Sequence, residues 1–394
     1  MAINKLSAAE CRLVIEPESL NMQTTDDVQP LSGIASQQRA LKALEFGLDI
    51  RQPRFHVVAV GDPGSGRTFS ARSVARRLAR QRPTPDDVLL LPNPKKPSEP
   101  TVLQLPPSEG RPFVEAMEEL HENLVEGLQG VPDGERFKHA RARVERSSRE
   151  RESELEASLS EVGEQFGLEI VRNDDEINVI PGDGDDPDSD VMRDIAAAVE
   201  EFEEALVELQ EELDRELRGV LKRLMVESVH GSFSPVKEQY TVKPTIHLFL
   251  EEVESLVIRE IRHLIDETRG DEPATLARGI VVPTLLTEHE PDSGAPVIDV
   301  PYPTLTALFG RSHLPPDGSF PPEPGFAVAG ALHQANGGFL ILPANTLLKN
   351  GIVYEQLKAC LLACRFIPPE HEPSYFRGTV EELAFPPIPI DVKV

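Results

Sequence analysis

Gly61-Asp62-Pro63-Gly64-Ser65-Gly66-Arg67-Thr68 decides the fold. The stretch meets the phosphate-loop pattern G-x-x-x-x-G-K-[ST] at seven of its eight positions, with Arg67 where the pattern has lysine. Just upstream, Phe55-His56-Val57-Val58-Ala59-Val60 is apolar and rich in β-branched residues, which predicts a buried parallel strand. Downstream, Ala71, Val74, Ala75 and Leu78 recur at helical spacing, with Arg72, Arg76, Arg77 and Arg80 between them. Strand, glycine loop and helix is the order a phosphate site needs. The glycines let successive N–H groups turn toward one point, and the helix N-terminus adds a favourable dipole. Gly61, Gly64, Ser65, Gly66, Arg67 and Thr68 are therefore the candidate nucleotide-binding residues, with Thr68 where a magnesium-ligating hydroxyl would sit. A tight strand-to-helix turn without a ligand has the same local sequence. Arg67 keeps the charge of lysine but carries a broad planar fork that fits lysine's transition-state position poorly. The expectation is ATP with magnesium as cofactor, bound with weak or lost hydrolysis.

The 394 residues carry a formal net charge of −27. Length predicts two or three domains. The acidity argues against nucleic acid or an anionic membrane as main partner, and favours a soluble cytoplasmic protein. No stretch approaches the roughly 18 apolar residues of a membrane helix, and the N-terminus has no secretion-signal pattern. Three cysteines make no disulfide framework. Cys360 and Cys364, one helical turn apart, are expected to pack as buried apolar residues.

Residues 1–32 read as an irregular leader. Residues 33–111 read as the first part of a sheet domain, with a helix marked by Ala40, Leu41, Leu44 and Leu48 and strands at Val88–Leu91 and Val102–Leu105. Residues 112–268 are helical and charged. A helix is expected over about 133–166, a hairpin over 168–171 and 177–180, a helix from about 189 to 229, and another over 244–267. Within them Val199, Leu206, Leu213 and Val220 recur every seven residues, with Phe202 and Leu209 offset by three, the pattern of a helical hairpin or coiled coil. The acidic run Asp183–Asp190 lacks calcium-loop spacing and reads as a solvated connection, with Asp190 capping the next helix. The sheet domain resumes over 269–394, with Gly279–Pro283 expected as a strand. Phe339-Leu340-Ile341-Leu342 resembles the second ATPase signature strand, which ends in a magnesium-holding acid. Here Pro343-Ala344-Asn345 follows, and no carboxylate is present.

These pieces resemble, in order, the AAA+ half of the Lon-related proteases, in the subgroup with a long helical insertion. The matching residues are Ser36-Gln37-Gln38-Arg39-Ala40, the glycine loop, Pro83-Thr84-Pro85-Asp86, Leu308-Phe309-Gly310-Arg311, Gly330-Ala331-Leu332-His333-Gln334-Ala335-Asn336-Gly337-Gly338 running into the signature strand, and Tyr354-Glu355-Gln356-Leu357-Lys358-Ala359. The fold class that follows is α/β, a P-loop AAA+-like parallel sheet interrupted by a helical insertion. The resemblance implies a ring, usually a hexamer, that feeds unfolded protein to a C-terminal serine-lysine protease domain. Some members that have lost the ATPase signatures are implied to degrade protein without ATP. Residues 389–394 read as the start of a further strand, after which the family's order places a sensor strand, a lid and the protease. The reading frame is therefore expected to be truncated.

No catalytic or metal-ligating residue is assigned. The chain has no H-E-x-x-H pattern, and Pro63 and Arg67 replace the glycines a nucleophile elbow needs around Ser65. His289 and His371, beside glutamates in proline-rich loops, are expected to be exposed. Phe309, Phe320 and Phe326 are candidates for an entry pore or for packing beneath a loop. Two other functions stay open. One is an active ATPase using Asp299 or Glu355 for the metal. The other is a non-enzymatic scaffold presenting the acidic insertion to a partner.

Overall fold

The computed structural model describes residues 5–8, 11–12, 14–28, 37–93, 99–173, 176–181, 188–267, 277–312, 327–368 and 387–394. Near the N-terminus the described residues include two short 3-10 turns, over Pro17–Leu20 and Thr25–Asp27. Helix α1 (Gln38–Asp49) and helix α2 (Arg67–Ala79) then pack through Leu41, Leu44 and Leu48 against Val74, Ala75 and Leu78.

Strands β1 (Asp87–Leu91) and β2 (Thr101–Leu105) form an antiparallel pair. Leu89, Leu91, Leu103 and Leu105 face one apolar core, while Val88 and Leu90 face another. A strand buried on both faces must be apolar at every position, which explains the unbroken Val88–Leu91 run.

The first core is helical. Helix α3 (Gly110–Gly130) contributes Phe113, Met117, Leu120, Leu124 and Leu128, spaced three or four apart. Helix α4 (Glu135–Gln165) leads into the hairpin β3 (Leu168–Asn173) and β4 (Glu176–Pro181), and helix α5 (Ser189–Gln239) returns. Arg136 pairs with Glu227 and Arg151 with Glu212. Fifteen residues forward on α4 thus match fifteen backward on α5, an antiparallel arrangement without slippage. Val199, Phe202, Leu206, Leu209, Leu213 and Val220 are all at least partly buried. Helix α5 runs ten residues past the expected Val229 because Phe233 and Val236 pack on the core. Its N-cap is Asp188, whose carboxylate accepts the Ser189 N–H at 2.7 Å, in place of the expected Asp190. Residues 183–187 of the acidic run lie outside the described residues. Helix α6 (Pro244–Glu267) completes the core with Ile246, Leu250, Val253, Val257 and Ile261.

The strand expected over Gly279–Pro283 is instead helix α7 (Arg278–Val281), and strand β5 (Thr284–Thr287) begins after Pro283. Proline has no ladder donor and holds Val282 extended (φ −89°, ψ 123°), so the helix stops and the strand starts one residue beyond. Strand β5 pairs antiparallel with β1, giving the sheet order β2-β1-β5. The strands expected to join a parallel sheet therefore form an antiparallel one between the two cores.

The second core gathers the C-terminal elements. Strand β6 (Val297–Asp299) precedes helix α8 (Leu305–Phe309), strands β7 (Gly310–Ser312) and β8 (Ala327–Ala329), and helix α9 (Ala331–Gln334). Strand β9 (Phe339–Ile341), helix α10 (Ala344–Lys349) and helix α11 (Gly351–Ala363) follow. Strands β7 and β8 pair antiparallel, and Gly310 (φ +77°) and Gly330 cross there with no room for side chains. A Cβ on Gly310 would stand 2.0 Å from the Val328 carbonyl oxygen.

Strands β6 and β9 are parallel, and Lys393 bridges to Phe339 in the same sense. The Val57 N–H donates to the Val394 carbonyl at 2.9 Å, and the Lys393 ammonium donates to the Phe55 carbonyl at 2.7 Å. The order across this layer is thus the 55–57 segment, residues 392–394, β9 and β6. The buried strand expected over 55–60 is not formed. Val58 is 74% and Val60 89% exposed, because residues 392–394 meet the segment only at its Val57 end.

Candidate nucleotide site

The glycine loop lies between the extended 55–60 segment and α2. The Ser65 N–H closes a turn onto the Asp62 carbonyl at 3.2 Å. Gly66, at φ +78°, is the N-cap of α2, and its carbonyl accepts both the N–H and the hydroxyl of Ser70, each at 2.8 Å. The aliphatic part of Arg67 folds back over the loop. A Cβ built on Gly61 would stand 3.4 Å from Arg67 Cδ and 3.0 Å from Ser65 Oγ. Gly61, Gly64, Ser65, Arg67 and Thr68 are exposed, and Gly66 is half-buried. The six sequence-derived residues therefore form one continuous rim at the start of a 13-residue helix. The stretch holds the kinds of group a phosphate site uses, backbone N–H donors, a helix N-terminus and a cation, with the Ser65 N–H itself turned onto Asp62.

Magnesium does not fit as well. Strand β9 runs out at Ile341 with Leu342 and Pro343 behind it, so its C-terminal end offers no carboxylate. In register beside Ile341 is Asp299, the last residue of β6. Its carboxylate is held by the guanidinium of Arg72, which α2 projects from its second turn. Glu355 pairs with Lys358 at 2.5 Å one turn along α11. Among the described residues no three His, Cys, Asp or Glu side chains gather as a metal site.

Other expected features sort by burial. Phe309 is buried and packs on Phe366, so it is a core residue; Phe320 and Phe326 lie outside the described residues. Cys360 is buried, which raises its thiol pKa. Cys364 is exposed, contrary to expectation, because it ends α11 with φ +50° and turns away from the core. His289 is also corrected: its side chain is 11% exposed and faces buried Asp87. Asp87 accepts the His289 N–H at 2.8 Å and, on its other oxygen, the Gly110 N–H that opens α3 at 2.9 Å. Burial lowers the His289 pKa, and Asp87 opposes that shift. His371 lies outside the described residues. His333 was legible only as a motif letter. It is buried on Phe366, accepts the Gly330 N–H at Nδ1 (3.3 Å), and burial brings its pKa to about 4, so it is neutral at pH 7.

Two family models match. A LonB-like AAA domain covers residues 293–394, the stretch with β6, the Gly310–Gly330 crossing and β9. A Lon-like LonC helical domain covers residues 87–120, from β1 into α3. Over these two stretches the chain is similar to Lon-related proteins. Two curated relatives carry the description "Archaeal Lon protease". That of Archaeoglobus fulgidus is 29% identical over 104 residues, 25% of this chain and 16% of its own length. That of Methanothermobacter thermautotrophicus is 28% identical over 101 residues, 25% of this chain and 15% of its own. The matched stretch thus spans about a sixth of the length of these Lon proteases. Neither family model reaches the glycine loop, so residues 61–68 stand on their own geometry.

Proposed function

We propose that the chain is the ATPase-like module of a Lon-related protease, with nucleotide hydrolysis weak or lost. In this reading residues 33–111 and 269–394 make the AAA+-like part, and residues 112–268 a coiled-coil insertion. The module assembles a ring, as a hexamer, and delivers unfolded protein to a serine-lysine protease domain of the kind the family carries. The carrying observation is the fate of the metal side of the site. Pro343 takes the position of the acid on the signature strand, and Arg72 holds Asp299, the carboxylate in register beside that strand's last residue. Arg67 and the loop N–H groups remain a phosphate rim, so ATP binds without efficient turnover. Gly61, Gly64, Ser65, Gly66, Arg67 and Thr68 contact its phosphates. The same reading places the protein in the cytoplasm, without nucleic-acid or membrane partners. No helix among the described residues is long and apolar enough to cross a membrane.

The test is degradation of an unfolded model protein by the full-length gene product, with and without ATP and magnesium. Equal degradation in both supports a structural ring module. Degradation that requires ATP overturns the loss of hydrolysis. No degradation in either, from an assembled sample, favours a scaffold.

A further inference from the structure

The charge of this acidic chain is reversed around the glycine loop. Residues 37–82 hold ten Lys and Arg against three Asp and Glu, within a chain of net −27. On α1, Arg39, Lys42 and Phe46 are exposed, and on α2 so are Phe69, Arg76 and Arg80. The Glu45–Arg77 pair ties the two helices. Lys42 is three residues before Glu45 and Arg80 three after Arg77, so both flank that seam. Phe46 is 71% and Phe69 55% exposed, which makes the face apolar as well as basic.

The complementary surface lies on the same chain. The first part of α5, residues 189–218, holds eleven Asp and Glu against three Arg. It precedes Leu221, where α5 begins to contribute to the helical core, so with α4 it forms an arm about 45 Å long at the rise of an α-helix. Glu200, Glu204, Val207, Glu208 and Glu211 are exposed and share one face. Val207 is 56% exposed amid those carboxylates. Along its length α5 packs chiefly on α3, α4 and α6 of its own chain.

We propose that the acidic arm of one copy docks on the α1–α2 face of a second copy. Glu200, Glu204, Glu208 and Glu211 meet Arg39, Lys42, Arg76 and Arg80, and Val207 seats against Phe46 and Phe69. The contact is head-to-tail, with different surfaces on the two partners, and such contacts generate rings when the rotation closes. The inference rests on the assembly reading above and names the surfaces that carry it. A nucleic acid would satisfy the basic residues alone; the arm supplies both the carboxylates and the aliphatic residue between them.

The experiment is sedimentation of the full chain at low and high salt, alongside R76E/R80E, E204K/E208K and an equimolar mixture of the two. All four positions are exposed, and circular dichroism checks that each variant is folded. The wild type is expected to assemble, with affinity falling roughly tenfold or more at high salt because exposed charge pairs are screened. Each variant alone is expected to lose assembly, and the mixture to regain it, since every reversed face then meets one of opposite sign. Assembly of either variant at wild-type affinity, or no recovery on mixing, overturns the docking while leaving ring assembly intact. A wild type that stays monomeric at every salt concentration overturns both. Tight, sequence-independent binding of a single-stranded oligonucleotide that R76E/R80E abolishes, with assembly unchanged, assigns the face to nucleic acid instead.

Discussion

Arg72 on α2 holds Asp299 at the end of β6, joining the helix that follows the glycine loop to the strand beside the signature strand. In a nucleotide-hydrolysing site a metal ion between those elements would need that carboxylate. Here a guanidinium takes it, and the link requires no ligand. Both side chains keep contact with water, at 41% and 22% exposure, so the pair is worth about 0.5–1 kcal/mol. A double-mutant cycle of Arg72→Ala and Asp299→Ala, read by denaturant unfolding, is expected to give a coupling of that size. A coupling indistinguishable from zero would mean that the pair is incidental.

Restoring lysine to the loop tests the other half of the site. Arg67→Lys supplies the compact charge of an active phosphate loop but leaves Pro343 and the occupied Asp299 unchanged. ATP turnover is expected to stay at background, and binding of a fluorescent ATP analogue to change by less than about tenfold. A rise in turnover well above background would show that Arg67 alone is the defect and that a metal finds its carboxylate.

The local pieces were readable in the sequence, and the partners were not. The glycine loop, the helices over 135–165 and 244–267, and the β3–β4 hairpin are set by spacing within a few turns of chain. Val88–Leu91 reads correctly as a strand, but its neighbour β5 lies almost two hundred residues on, and nothing in four apolar residues says whether that neighbour runs parallel. Val57–Val60 shows the same limit from the other side. Its residues suit burial, yet burial depends on a strand beside it, and residues 392–394 lie along Phe55, His56 and Val57, short of Val58. Cys364 and His289 misled for a related reason, since burial at a helix end or in a proline-rich loop is decided by what packs across it.

Asp87 shows how much one long-range contact can carry. It is fully buried and accepts two backbone N–H groups, from Gly110 and His289, so it ties β1, the start of α3 and the chain leaving β5. Removing it leaves both donors unsatisfied in a buried place. Asp87→Ala is expected to cost about 2–4 kcal/mol, against a few tenths for neighbouring Asp86→Ala. Chemical denaturation of the two variants decides it, and equal costs would sink this account of the joint.

His333 predicts how stability changes with pH. Burial lowers its pKa from the ordinary 6.5 to about 4 in the folded chain. Between those values the unfolded chain binds the proton and the folded chain does not, so stability rises with pH across that window. Its contribution is fully present above about pH 6.5 and is lost progressively as the pH falls toward 4, by roughly 2 kcal/mol between pH 7 and 5. Burial also lowers His289 and His56, which adds to the slope in the same direction. His333→Asn keeps an acceptor near Nδ1 for the Gly330 N–H but cannot take up the proton. Denaturation midpoints of wild type and His333→Asn at pH 7 and pH 5 isolate the effect. The variant is expected to start less stable at pH 7 because it underfills the space against Phe366, and to lose markedly less stability on acidification. Parallel curves for the two proteins would show that His333 is not the group whose protonation unsettles this core.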